Sequence, residues 1–220
     1  MALGTHWEWR GFGEVSHAFF DRYGDLNYQF GPLKVDDLYI WTPDLKVNLK
    51  IREGAYGGLK VKRPLGQHGR FQRWSEHPDD LHALPLDKTA WHALATVLGN
   101  AGLVLGPYPT DPPGHDQLLF LLERAGCKSL LVRKERGGRW WQGPNGRVLV
   151  EWTAINKPQL IVSISLESED TAAGDDGLTD EQAKADLQAA LEALDLNRQA
   201  LAPMNYMDAV AVWVGGRIII

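Results

Sequence analysis

The stretch VNLKIREGAYGGLKVKR, Val47–Arg63, decides how this chain is read. In Val47–Arg52 the side chains alternate with period two, with Val47, Leu49 and Ile51 on one face and Asn48, Lys50 and Arg52 on the other. After the Gly54–Gly58 turn the alternation resumes, Leu59 and Val61 against Lys60 and Lys62. Period two is the repeat of a β-strand, and two such runs joined by a glycine-rich turn predict a hairpin. Its apolar face needs a covering layer. Its other face carries four cations on adjacent strands, and either meets bulk water or encloses something.

The charge balance sharpens that choice. Residues 46–73 hold eight Lys or Arg against the single Glu53, a net of +7. The whole chain carries −5, so the remaining 192 residues carry −12. Such a chain is a poor non-specific nucleic-acid binder, and a cationic patch in an acidic protein points to a defined anionic ligand. An apolar fraction of 44% in 220 residues is enough for one domain with a real core. Cys127 is the lone cysteine, which excludes an intrachain disulfide. With no apolar leader and no membrane-length apolar stretch, a cytoplasmic protein without membrane contact is the expectation.

Outward from the hairpin, the same period recurs. Thr5–Phe12 sets His6, Glu8 and Arg10 against Trp7 and Trp9. Asp37–Trp41, Arg70–Glu76, Ser129–Arg136, Arg147–Trp152 and Gln159–Glu169 also read as strands, giving eight in all with the hairpin. In Gln159–Glu169, Leu160, Val162, Ile164 and Leu166 oppose Ser163, Ser165, Glu167 and Glu169. Helices are predicted over Val15–Arg22, after the N-cap Asp87, over His115–Gly126 and over Thr179–Asn197, with a short one in the segment beginning at Pro203. The acidic segment 167–177 reads as a solvated linker before C-terminal helices in 179–213. With no repeat and no long linker, residues 1–220 form a single domain.

A sandwich would turn these polar faces outward. Cations on strand after strand, together with Glu8, Glu151 and Glu167, instead suit an antiparallel barrel with a polar interior and helices packed outside, an α+β fold. Same-face neighbours on a strand lie about 7 Å apart, where two unit charges repel by about 0.6 kcal/mol in water but about 2.4 at an effective dielectric of 20. Enclosed cations therefore need carboxylates or an anionic ligand, and a row of them suits a linear polyphosphate. A solvated sheet face is the competing reading. His6 reads as a hydrogen-bonded interior histidine, since no HxH or HExxH spacing supports zinc. Trp7 and Trp9 read as core residues. Trp41, Trp74, Trp140 and Trp141 read as core or loop anchors, with stacking on a ligand ring as the alternative. The glycines of the hairpin turn precede no helix and so are no phosphate loop.

The ordered set of motifs resembles the CYTH superfamily, the triphosphate tunnel metalloenzymes. HWEWR stands where that family has Glu-x-Glu-x-Lys, LKVKRP resembles its Leu-Lys-x-Lys hairpin partner, and KER places Lys134 and Arg136 at its Lys-x-Arg strand. VLVEW and QLIVSISLES stand at its later acidic strands, so that the likeness covers about residues 5–210. It implies an eight-stranded tunnel and a ligand that is a triphosphate, a polyphosphate or another phosphorylated small molecule. Arg10, Lys50, Arg52, Lys60, Lys62, Lys134 and Arg136 would grip the phosphates. Glu8, Glu151 and Glu167 would be the catalytic acids, with Mg²⁺ or Mn²⁺ on Glu8 and Glu167, making the protein a metal-dependent phosphohydrolase. The chain departs from the family at the acids: His6 replaces the first, Arg10 stands for Lys, and Ser163 and Ser165 occupy the two late positions. The alternatives are a non-catalytic anion-binding protein that lost its metal site, and a structural or interaction module. Oligomeric state and ligand identity are not legible.

Overall fold

The computed structural model describes residues 4–52, 57–75, 81–171 and 177–220. Most of the hairpin turn, Glu53, Glu76 and part of the acidic linker lie outside the described residues. Ten strands and five helices follow in the order β1 (Thr5–Glu14), α1 (His17–Gly24), β2 (Asn27–Trp41), β3 (Asn48–Arg52), β4 (Gly58–His68), β5 (Phe71–Ser75), β6 (Leu81–His82), α2 (Lys88–Gly99), α3 (His115–Arg124), β7 (Lys128–Gln142), β8 (Arg147–Lys157), β9 (Ile161–Ser168), α4 (Asp180–Ala193), β10 (Ala200–Pro203) and α5 (Tyr206–Val214). Eight strands close an antiparallel ring, β1-β5-β4-β3-β2-β7-β8-β9, because β9 pairs back onto β1 from Glu8↔Glu167 to Gly13↔Val162. β6 adds to β4 and β10 to β1, so the expected barrel is present with two short strands more than the alternation shows.

β1 serves three neighbours. On one edge β5 covers Thr5–Glu8 and β10 covers Gly11–Glu14; β9 takes the other edge. A Cβ on Gly13, at φ +153°, would collide with the Ala200 carbonyl, so this pairing needs glycine. Several strands outrun their sequence reading. β2 begins at Asn27 rather than Asp37, since register shifts against β7 at Tyr28/Phe30 and Phe30/Leu33 let a turn-like sequence continue the ladder. α4 is shorter than read: Thr179 is its N-cap, in a capping box with Gln182, and Asp195 at φ 55° turns the chain away.

The apolar strand faces are covered as their period requires. Leu49, Ile51, Leu59 and Val61 pack under α2 and α3 against Trp91, Leu94, Leu98, Leu118 and Leu122. Trp7, Trp9, Val150, Ile164 and Leu166 pack under α4 against Leu187 and Leu191, which places both tryptophans in the core. A third cluster lies within the ring. Phe12, Tyr39, Val132 and Ile155 share their strands' inner faces with the polar residues and meet Tyr206, Ala209, Val210 and Trp213 of α5. α5 thus fills one end of the barrel, and what remains inside is a polar chamber toward the end where β1 begins.

Candidate functional site

The inner faces of the strands bring the sequence-predicted residues together. One cavity of about 150 Å³ is lined by Arg10, Lys50, Arg52, Lys60, Lys62, Lys134 and Arg136, and also by Glu8, Glu151 and Glu167. The register explains the convergence: Lys50 lies directly across from Lys60, and Asn48 across from Lys62. Asn48, Trp74 of β5, Asn205 and Tyr206 complete the lining. Through Glu167 the chamber adjoins a wider depression of about 460 Å³ that also includes His6, Trp140 and Asp170.

Asp37 holds three of the seven cations. Its side chain is fully buried, and it accepts hydrogen bonds from Lys50 Nζ at 3.0 Å and from Arg52 Nε and Nη2 at 2.8 and 3.1 Å. Lys134 Nζ lies 2.8 Å away. Burial pushes the Asp37 carboxyl up, but Lys50, Lys134 and Arg52 outweigh it and hold it well below the ordinary carboxylate range. The cost falls on the lysines. Burial drives Lys50 down to about 7, because one carboxylate shared among three partners offsets only part of the desolvation. Burial also brings Lys60 down to about 7, with Lys50, Arg52 and Lys62 adding repulsion.

The opposite wall is organised around Arg10. Its Nε donates to Glu8 Oε1 at 2.9 Å and its Nη1 to Ser163 Oγ at 3.1 Å. Glu167 Oε1 and Glu151 Oε1 lie 3.5 and 3.9 Å from its other nitrogens. Lys62 Nζ takes the second oxygen of Glu8 at 2.6 Å, and Arg136 Nη2 takes Glu151 Oε2 at the same distance. Burial raises Glu8, yet Lys62 and Arg10 hold it well below its ordinary value. Aromatic faces support the cations: Lys62 lies 5.2 Å from the Trp74 ring centroid, Lys134 4.5 Å and Arg10 4.7 Å from that of Tyr206. His6 is interior as read, but its Nε2 has no hydrogen-bond partner among the described residues and sits 3.9 Å from Glu8.

The sequence reading missed Asp37, Asn48, Asn205 and Tyr206. Asp37 carried a signal, since it opens a strand with alternating faces and is the register partner of Arg52. Nothing in the sequence marked Tyr206, which reaches the chamber because α5 folds into the barrel.

The donor set does not fit a resident divalent ion. Glu8 and Glu167 are cross-strand partners, as a shared ion would require. However, both oxygens of Glu8 are engaged by cations, and Ser163 and Ser165 bring hydroxyls where carboxylates would serve. A divalent ion about 4 Å from the Arg10 guanidinium would be repelled by about 8 kcal/mol at an effective dielectric of 20. Among the described residues no group of three or more His, Cys, Asp or Glu is arranged to hold a metal.

Neither a protein-family model nor a curated protein matches the sequence. Among the solved structures similar to it are two that overlap with it along most of their length. A conserved hypothetical protein from Pyrococcus furiosus is 16% identical over 91% of this chain and 98% of its own, with a TM-score of 0.49. A candidate adenylate cyclase from Bacillus halodurans is 15% identical over 92% and 96%, with a TM-score of 0.41. At these scores neither likeness bears on function, and the barrel is established by its own strand pairing.

Proposed function

We propose that this protein binds a small, multiply charged phosphate compound, a tripolyphosphate or the phosphate chain of an organic triphosphate, inside the barrel. The observation that carries the reading is the convergence of seven cations from four strands on one cavity of about 150 Å³. Four carboxylates, Glu8, Asp37, Glu151 and Glu167, oppose them, which leaves a formal charge of +3 to be met by a ligand. The volume is below the roughly 300–1,000 Å³ of sites that engulf a drug-sized molecule, so the phosphates enter and any organic part stays toward the mouth. Trp74 is the chamber's own indole, and it is already engaged by Lys62. Glu8, Glu151 and Glu167 act in this reading as charge-balancing partners that keep the empty chamber folded. Hydrolysis, with Glu151 or Glu167 helping to orient water, is the further claim.

Thermal shift with tripolyphosphate, ATP and thiamine triphosphate, each with EDTA, Mg²⁺ or Mn²⁺, tests the binding. A ligand at about a hundred times its Kd stabilises the fold by about 2.7 kcal/mol, several degrees in Tm. Phosphate release measured on the same mixtures separates turnover from binding. No shift with any of the three would overturn the proposal.

A further inference from the structure

Three of the chamber's four carboxylates converge on one side chain. Arg10 reaches Glu8 at 2.9 Å, Glu167 at 3.5 Å and Glu151 at 3.9 Å, and donates to Ser163 at 3.1 Å. These partners stand on β1, β8 and β9, adjacent in the ring, and Arg10 itself is only 8% exposed. Carboxylates brought by several strands to the edge of an anion chamber need positive charge among them, a role that a hard divalent ion can fill. Here the cation is part of the chain. We propose that the Arg10 guanidinium is a built-in replacement for a divalent metal, so that the chamber takes its anion without one.

The rest of the wall agrees with this. The oxygens that Arg10 leaves are taken by other fixed cations, Glu8 Oε2 by Lys62 and Glu151 Oε2 by Arg136, both at 2.6 Å. Ser165, the register partner of Arg10 on β9, and Ser163 contribute no charge, so the acids are as many as monovalent cations balance. A guanidinium also presents five donors in a planar fork, enough to span several carboxylates and still face a phosphate. Burial works against its charge, but Glu8 foremost among its anionic neighbours holds the group protonated. The proposal concerns the carboxylates, and only its second consequence, metal-free anion binding, rests on the phosphate reading.

Mn²⁺ binding to the full chain, read from the loss of the free-ion electron paramagnetic resonance signal without any polyanion, tests it. The wild type is expected to bind no Mn²⁺ up to about 1 mM, and Arg10→Gln to bind one ion about tenfold or more tightly. Arg10→Lys keeps the charge and is expected to behave as the wild type. Tight Mn²⁺ binding by the wild type that Glu8→Gln abolishes would overturn the proposal, and that comparison does not depend on Arg10→Gln folding. A folded Arg10→Gln that binds no Mn²⁺ would overturn it too. Calorimetry with tripolyphosphate in EDTA or excess Mg²⁺ adds the second arm: equal or weaker binding with Mg²⁺ supports the replacement, tighter binding contradicts it. Tripolyphosphate binding in neither buffer counts against the phosphate reading, and the Mn²⁺ comparison still decides the role of Arg10.

Discussion

Asp37 is the shared partner of three of the seven chamber cations, so its loss is the most informative single change. Its folded pKa lies well below the roughly 3.9 of an unfolded aspartate. The stability it contributes is therefore present above about pH 4 and is lost as pH falls toward the folded value. Asp37→Asn leaves Lys50, Arg52 and Lys134 facing one another, and removing one partner of a buried ion pair costs about 3–5 kcal/mol. Urea denaturation should show that loss, and tripolyphosphate should restore part of it by neutralising the same three cations. An equal loss with and without tripolyphosphate would mean that the ligand does not sit over them. Lys50 and Lys60 give a second test with the opposite sign. Held near 7 against roughly 10.4 when unfolded, they bind fewer protons in the folded state, so the ligand-free protein should gain stability from about pH 7 to about pH 10. A bound polyanion returns those protons. Tripolyphosphate affinity should then strengthen from about pH 8 to about pH 6, with proton uptake seen by calorimetry in buffers of different ionisation enthalpy. Binding at neutral pH without proton uptake would remove the anion from Lys50 and Lys60.

At the scale of elements, period two tells which side chains share a face, and the ten residues named from the sequence all line one cavity. It could not say what each face meets. Asp37 stood in a strand already read, but its three cations come from β3 and β7, and only the pairing on both edges of β2 brings them together. Extension was legible where the alternation was clean and failed where it broke. The Tyr23–Pro32 stretch looks turn-rich because of its glycines and proline, yet β7 pairs with Asn27, Tyr28 and Phe30 within it and with Leu33 beyond it. β10 has four residues, too few for a period to register, and it owes its place to the free edge of β1. The sequence predicts a short helix at α5 and no destination for it; burial of its apolar residues within the ring supplies one. Phe12 is the centre of that contact, edge-on to Tyr206 at 5.3 Å and to Trp213 at 5.9 Å. Phe12→Ala should cost about 3–5 kcal/mol in chemical denaturation. Tripolyphosphate affinity should change by no more than about threefold, since ion pairs between the strands fix the cations and α5 adds only the Tyr206 ring beside Arg10 and Lys134. A collapse of affinity would mean that the Tyr206 ring, and not the ion pairs between strands, holds Arg10 and Lys134 in place.

The whole molecule separates its charges by closing the ring. With +3 in the chamber and −5 in total, the surroundings carry −8. The +7 segment makes the imbalance visible in the sequence, and cations and acids on strand after strand point to the enclosure, although an open sheet and a barrel alternate alike. Closure came from β1 pairing with β9, whose partners lie more than 140 residues apart. That topology decides which polyanions the protein recognises. A cationic face in solvent would attract heparin and duplex DNA, with an affinity falling steeply with salt. A chamber of about 150 Å³ admits neither polymer, and outside it both meet a surface of their own sign. The protein should therefore pass through a heparin column at physiological salt while tripolyphosphate under the same conditions raises its Tm. Retention on heparin, relieved by tripolyphosphate, would place the binding cations on an outer surface and contradict the enclosed chamber.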